Sequence, residues 1–142
     1  MNYLKLPLNF NQLIHNGNKN NCSLEESIAQ YIMMQITCRY GEVAGRRDFG
    51  SEIWELEFNQ LVRIYEWEEK VKNSLQTSIS KYENRLTEVE VDVNLVEIEP
   101  DTNSKNYSEI RRQAIITVTG KIVNTGIPFH FNTTVYVSPL SQ

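Results

Sequence analysis

The chain has 142 residues, 40% hydrophobic and 23% charged, a balance that supports one folded core and argues against disorder throughout. Its 18 acidic and 14 basic residues give a net charge of -4, so no general electrostatic footprint invites nucleic acid or an anionic membrane. No run approaches the ~18 apolar residues of a membrane span, and the opening MNYLKLPLNFNQLI lacks the basic start of a signal peptide. The expectation is a protein that folds in the cytosol without direct membrane insertion.

Residues 1 to 22 combine an apolar opening with the polar tract His15 to Asn21 and are expected to form an amino-terminal arm and loop; 23 to 142 are expected to form a single α+β domain. Ser23 followed by Glu26 makes a capping box, and Leu24, Ile28, Ile32 and Ile36 recur at helical spacing up to about Arg39. The helix would separate Cys22 and Cys38 by about 24 Å, too far for a disulfide. Neither cysteine stands at metal-ligand spacing to the other or to His15 and His130, so no metal or cofactor is expected.

The stretch GEVAGRRDFG from Gly41 to Gly50 reads as a loop whose glycines serve turns or close approach. Ser51 is placed to cap a short helix through Ile53, Trp54, Leu56 and Phe58. In the longer helix that follows, Ile64, Trp67, Val71, Leu75, Ile79 and Tyr82 form an apolar stripe opposite a charged face. From Leu86 the period becomes two. Val89, Val91, Val93 and Leu95 share one face, and after the turn-rich linker 99 to 106 so do Ile116, Val118, Gly120 and Ile122. Asn124-Thr125-Gly126 turns the chain into a last run with Ile127, Phe129, Phe131, Thr133, Val135 and Val137 inward. Helices first and strands afterwards predict an α+β layer: two to three helices on one face of a three- to four-stranded antiparallel sheet.

Two segments then carry a resemblance. Tyr40 to Ser51, opening on Gly41-Glu42 and closing on Asp48-Phe49-Gly50-Ser51, resembles the loop after the first helix in baseplate wedge proteins related to TssE. These are the sheath initiators of contractile phage tails and type VI secretion systems. Glu83-Asn84-Arg85, between the long helix and an apolar strand, is similar to that family's Glu-Pro-Arg motif with Asn84 in place of proline. Asn84 is expected to stop the helix by adopting the left-handed conformation. The resemblance covers about residues 24 to 137.

What the resemblance implies is a subunit without a substrate. It would dock on other wedge subunits (TssF-, TssG- and TssK-like) through Glu83 and Arg85, in several copies within a six-fold baseplate. Its sheet would resemble the handshake domain of the sheath protein, whose strands would join it by β-augmentation. It would sit in a cytoplasmic baseplate facing the inner membrane, or in a virion baseplate. Arg46 and Arg47 read as solvated or partner-facing, and Tyr65, off the apolar stripe, as an interface residue; Trp67, on the stripe, reads as core. Left to the residues alone, Glu83 and Arg85 would be a surface ion pair worth at most about 1 kcal/mol.

The enzymatic rival is a lysozyme-like peptidoglycan hydrolase using Glu42 and Asp48 as acid and base. Against it, the loop is short and glycine-rich, and Arg46 and Arg47 favour ionised carboxylates. Asp48-Phe49-Gly50 also spells a kinase triplet, but the chain has no phosphate loop or catalytic-loop motif. Nucleophilic catalysis lacks a Ser or Cys visibly paired with either histidine. Nucleic-acid binding would want basic and aromatic residues interleaved on the sheet, where the first strand shows acids outward.

Overall fold

The computed structural model describes residues 3–15, 21–54, 64–98 and 111–137. In chain order these form β1 (Tyr3–Leu4), α1 (Phe10–His15), β2 (Asn21–Cys22), α2 (Leu24–Thr37), a 3-10 turn at Glu52–Trp54, α3 (Ile64–Tyr82), β3 (Leu86–Ile98), β4 (Arg111–Ile122) and β5 (Pro128–Tyr136). The fold is α+β. The segment read as an arm holds the β1 and β2 pairing, antiparallel with Tyr3 opposite Cys22.

Helix α2 starts where the sequence says it should. The Ser23 hydroxyl accepts the Glu26 N–H at 3.1 Å, and the Glu26 carboxylate accepts the Ser23 N–H at 3.0 Å, closing the capping box. Its buried face is Ile28, Ile32, Gln35 and Ile36. Helix α3 buries Trp67, Val71, Leu75 and Ile79, joined by Ser74 and Ser78 on the flank that meets the loop before the 3-10 turn. Ile64, expected on the same stripe, begins the helix and stays 42% exposed.

Strands β3, β4 and β5 form an antiparallel sheet in that order. Val91 and Val93, then Ala114, Ile116, Val118 and Ile122, then Phe129 and Val135 point to the helices and are buried with the helical stripes in one core. Each of these side chains larger than alanine contributes about 1.5–3 kcal/mol on burial. Helix α3 lies along β3, while α2 reaches over β5, where the Thr133 hydroxyl sits 3.7 Å from Met33 Sδ. A β-bulge between Thr87 and Glu90, with Glu88 at φ 52°, inserts one residue into β3.

Three expectations change. Ile127 is 49% exposed, because it precedes β5 and its carbonyl closes the tight turn by accepting the Ile122 N–H. Ser51 does not present its hydroxyl as a helix cap; fully buried, it donates to the Ile36 carbonyl at 2.9 Å and ties the loop to α2. Asn84 is not left-handed: among the described residues only Glu88 and Asn124 combine positive φ with a side chain. The turn there is closed instead by the Leu86 N–H reaching the Glu83 carbonyl at 3.5 Å, which makes Asn84 the second residue of a four-residue turn, where proline is also at home. Leu56, Phe58 and the 99 to 106 linker lie outside the described residues.

Candidate functional site

Helix α3 ends at Tyr82, and the next residue, Glu83, turns its side chain inward, where the carboxylate is 1% exposed. A buried anion just beyond a helix C-terminus faces both desolvation and the negative end of the helix dipole. Arg85 compensates both. Its Nε and Nη2 donate to the two Glu83 carboxylate oxygens at 2.8 Å each, and the Arg85 backbone N–H donates to one of them at 3.0 Å. The third guanidinium nitrogen donates to the Ser27 hydroxyl on α2 at 2.8 Å, and the Tyr3 ring lies 5.5 Å beneath the charge. The Glu83 carboxylate raises the Arg85 pKa further above its already high value.

Arg85, expected to face a partner, thus makes its two-pronged contact inside the chain. This is no surface pair. Arg85 stitches α2, the α3 end and β1 together, and its carbonyl accepts the Val123 N–H after β4 at 2.9 Å. The Arg85 side chain as a whole keeps 31% of its surface exposed, so this held cation is not sealed from solvent.

The glycine loop packs beside this junction. Phe49 is 2% exposed, its ring 5.7 Å from that of Tyr31 on α2 and 5.2 Å from that of Tyr82 on α3. Gly50 has φ 130°, and a Cβ there would stand 2.6 Å from the Cys38 carbonyl oxygen, so the residue has to be glycine for the loop to pass the end of α2. Behind it, the Ser78 hydroxyl accepts the Gly50 N–H at 3.4 Å and donates to the buried Gln35 amide oxygen at 2.9 Å.

Arg46 donates to the Tyr31 hydroxyl at 3.2 Å and stacks 5.5 Å over the Tyr82 ring. The exposed Asp48 carboxylate accepts from Lys81 Nζ and the Tyr82 hydroxyl, and these two donors pull its pKa down to about 2. Since Ser27 and Tyr31 are one turn apart on α2, Arg85 and Arg46 occupy adjacent positions at the same end of the molecule. Arg47 is exposed in the same loop, where its carbonyl accepts the Gly41 N–H. Tyr65 is not part of this group. It is 69% exposed in the first turn of α3, about 26 Å along the helix axis from Tyr82.

Sequence reasoning did not single out Ser27, Tyr3 or Lys81, and it placed Tyr82 on the apolar stripe, whereas its half-buried ring and hydroxyl serve the loop. No local pattern marks Ser27 or Tyr3, which acquire their roles through tertiary approach. The i, i+4 position of Tyr31 after Ser27, together with Phe49 in the loop, was the one legible hint of a shared face.

As a catalytic site the region offers little. An Asp48 ionised down to about pH 2 has no proton to donate at neutral pH. The Glu42 carboxylate accepts the Arg39 N–H at 2.7 Å and serves its own loop. A surface depression lined by Lys72, Gln76, Glu90, Val91, Asp92, Thr117 and Thr119 holds neither acid. Among the described residues no cluster of three or more His, Cys, Asp or Glu is placed to hold a metal, and no helix is long and apolar enough to cross a membrane.

No curated protein matches the sequence. Among solved structures, one named as a tail lysozyme from Geobacter sulfurreducens is similar, with a TM-score of 0.55 over 84% of this chain and 96% of that one. At 18% identity that likeness speaks for the fold alone. Residues 22–126 match the family described as baseplate wedge protein gp25, a span that runs from the start of α2 through the loop, the Glu83 and Arg85 junction and both long strands to the turn before β5. The chain therefore belongs to the gp25 family of baseplate wedge proteins, structural components of contractile-tail baseplates.

Proposed function

We propose that this chain is a docking and templating subunit: it attaches to neighbouring wedge subunits through the α3 end and offers its sheet to strands of the sheath protein. The observation that carries the docking half is the buried Glu83 carboxylate, which fixes the Arg85 guanidinium while leaving 31% of that side chain exposed beside Arg46. A cation held in place loses little conformational entropy when a partner arrives, and a guanidinium suits a carboxylate or backbone carbonyl. Glu83 acts by positioning; Arg85, Arg46 and Arg47 meet the partner. Tyr65, at the far end of α3, would serve a second contact.

The templating half rests on the antiparallel sheet, an outer strand of which can offer backbone groups to an added strand. The partners are the wedge subunits of TssF, TssG and TssK type and the sheath protein, in a cytoplasmic or virion baseplate with several copies around its axis.

Copurification with wedge subunits tests the docking. Arg46→Ala with Arg47→Ala should weaken capture while leaving the fold intact, and Arg85→Lys should weaken it further, since an ammonium cannot reproduce the fork. Unchanged capture by both variants refutes the assignment. Sheath assembly in a deletion strain tests the templating: normal sheaths on baseplates lacking the chain would end it. Release of muropeptides from peptidoglycan by the pure protein, lost in Glu42→Gln, would favour the hydrolase instead.

A further inference from the structure

A three-stranded sheet has two outer edges, and those of this sheet are unequal. On β3, the Val91 and Leu95 N–H groups point away from β4, and both are taken by side chains of α3: Val91 donates to Gln76 Oε1 and Leu95 to Glu68 Oε1, each at 2.9 Å. The same Gln76 amide donates through Nε2 to the Val89 carbonyl, so one side chain supplies both the donor and the acceptor that a neighbouring strand would supply. The spacing fits the two periodicities. Gln76 and Glu68 are eight residues apart, about 12 Å along a helix; Val91 and Leu95 are four apart, about 13 Å along a strand. Helix α3 thus runs antiparallel to β3 and closes its edge twice, about two turns apart.

Among the described residues the β5 edge has no such cover. The Val137 N–H donates inward to the Arg112 carbonyl at 2.8 Å, so by alternation the backbone groups of His130, Asn132, Thr134 and Tyr136 point outward. Among the described residues β5 pairs with β4 alone. Charge follows the same division. Strand β3 carries Glu88, Glu90, Asp92 and Glu97, and charged side chains are a common protection of exposed edges, whereas PFHFNTTVY of β5 contains no Asp, Glu, Lys or Arg. Beside β5, α2 presents Met33, whose Sδ lies 3.7 Å from the Thr133 hydroxyl, so apolar surface flanks the inward face of the strand.

We infer that Gln76 and Glu68 close β3 to strand addition, and that the edge a sheath strand joins is β5. The inference deepens the templating role proposed above and rests on it for the identity of the occupant: an uncharged sheath segment in extended conformation, apolar on the side facing Met33.

Amide hydrogen exchange on the full chain, alone and with the sheath protein of the same machine, tests it. In the free protein Val91 and Leu95 should exchange at least about tenfold more slowly than Asn132 and Thr134, and sheath protein should slow the latter pair by at least about tenfold. Thr134→Pro removes an outward N–H without touching the β4 ladder, so it should keep the fold by circular dichroism yet weaken sheath capture at least about tenfold. Gln76→Ala with Glu68→Ala should speed exchange at Val91 and Leu95 and produce concentration-dependent self-association in sedimentation. The edge assignment is overturned if sheath protein binds and protects Val93 instead of β5, if Thr134→Pro binds as well as the parent, or if Gln76→Ala with Glu68→Ala leaves Val91 and Leu95 protected. Absence of any sheath binding by the parent chain sinks the templating role, and the free-protein exchange pattern then still decides whether β3 is the closed edge.

Discussion

Replacing Arg85 with alanine removes two charged hydrogen bonds of 2.8 Å from a carboxylate that is 1% exposed, along with the bond to Ser27 that ties α2 to the α3 end. Breaking a buried pair from one side typically costs about 3–5 kcal/mol, because the remaining charge is left without a partner. Here the lower figure applies: Arg85 is itself 31% exposed, so its removal admits water toward Glu83. We therefore expect a loss of about 3 kcal/mol in urea unfolding followed by far-UV circular dichroism, with the slope m unchanged. Adding Glu83→Gln to Arg85→Ala removes the orphaned charge and should recover about 1–2 kcal/mol, a gain that no surface pair would give. A loss below about 1 kcal/mol for Arg85→Ala, the range of exposed ion pairs, would refute the claim that this junction is an internal staple.

Gly50→Ala puts a Cβ 2.6 Å from the Cys38 carbonyl oxygen at φ 130°, and should cost about 2 kcal/mol or more in thermal unfolding. Gly45→Ala, at φ 77° with nothing within 4 Å of the new Cβ, should cost about 1 kcal/mol, so equal losses at the two sites would undo the steric argument. Asn84→Pro, placing proline second in the turn closed by Leu86 and Glu83, should raise stability by about 0.4–1 kcal/mol through the unfolded chain; a loss would mean the turn needs the asparagine. The Asp48 carboxyl, depressed from 3.8 to about 2, favours the folded state above its unfolded pKa, and that contribution disappears as pH falls from about 4 through about 2. Carbon-13 titration of the Asp48 carboxyl should show the low midpoint, and Lys81→Met should move it upward.

Local chemistry was readable wherever the cause is local. Ser23 and Glu26 announce α2 because both halves of a capping box lie within four residues, and Val91, Val93, Ile116 and Val118 announce the sheet because alternation sorts side chains by face. The glycine-marked turn at Asn124 to Gly126 was legible for the same reason, with φ 76° and 67° at its two ends. What escaped depends on approach between distant segments. The burial of Glu83 follows from α2 and β1 closing over it through Ser27 and Tyr3, and nothing in the residues around position 83 encodes that. Ser51 looked like a cap because its neighbours are helix formers, yet Ile36, fifteen residues earlier, claims its hydroxyl. Asn84 was misjudged because two different turn geometries tolerate asparagine, and only the observed Leu86 to Glu83 bond separates them.

The bulge at Glu88 sets the phase between the docking junction and the sheet. Leu86 and Val91 are both buried, at 6% and 3%, although they are five residues apart and strict alternation would send one of them outward. The register records the extra residue: Thr87 stands opposite Lys121, but Glu90 already stands opposite Thr119. A chain one residue shorter here would keep its composition and its helices. It would then have to expose either Leu86 and the turn that holds Arg85, or the whole Val91 and Val93 face, at about 1.5–3 kcal/mol per side chain. Insertions and deletions between positions 86 and 90 should therefore be far less tolerated than substitutions, and this short segment works as a reading frame for the fold.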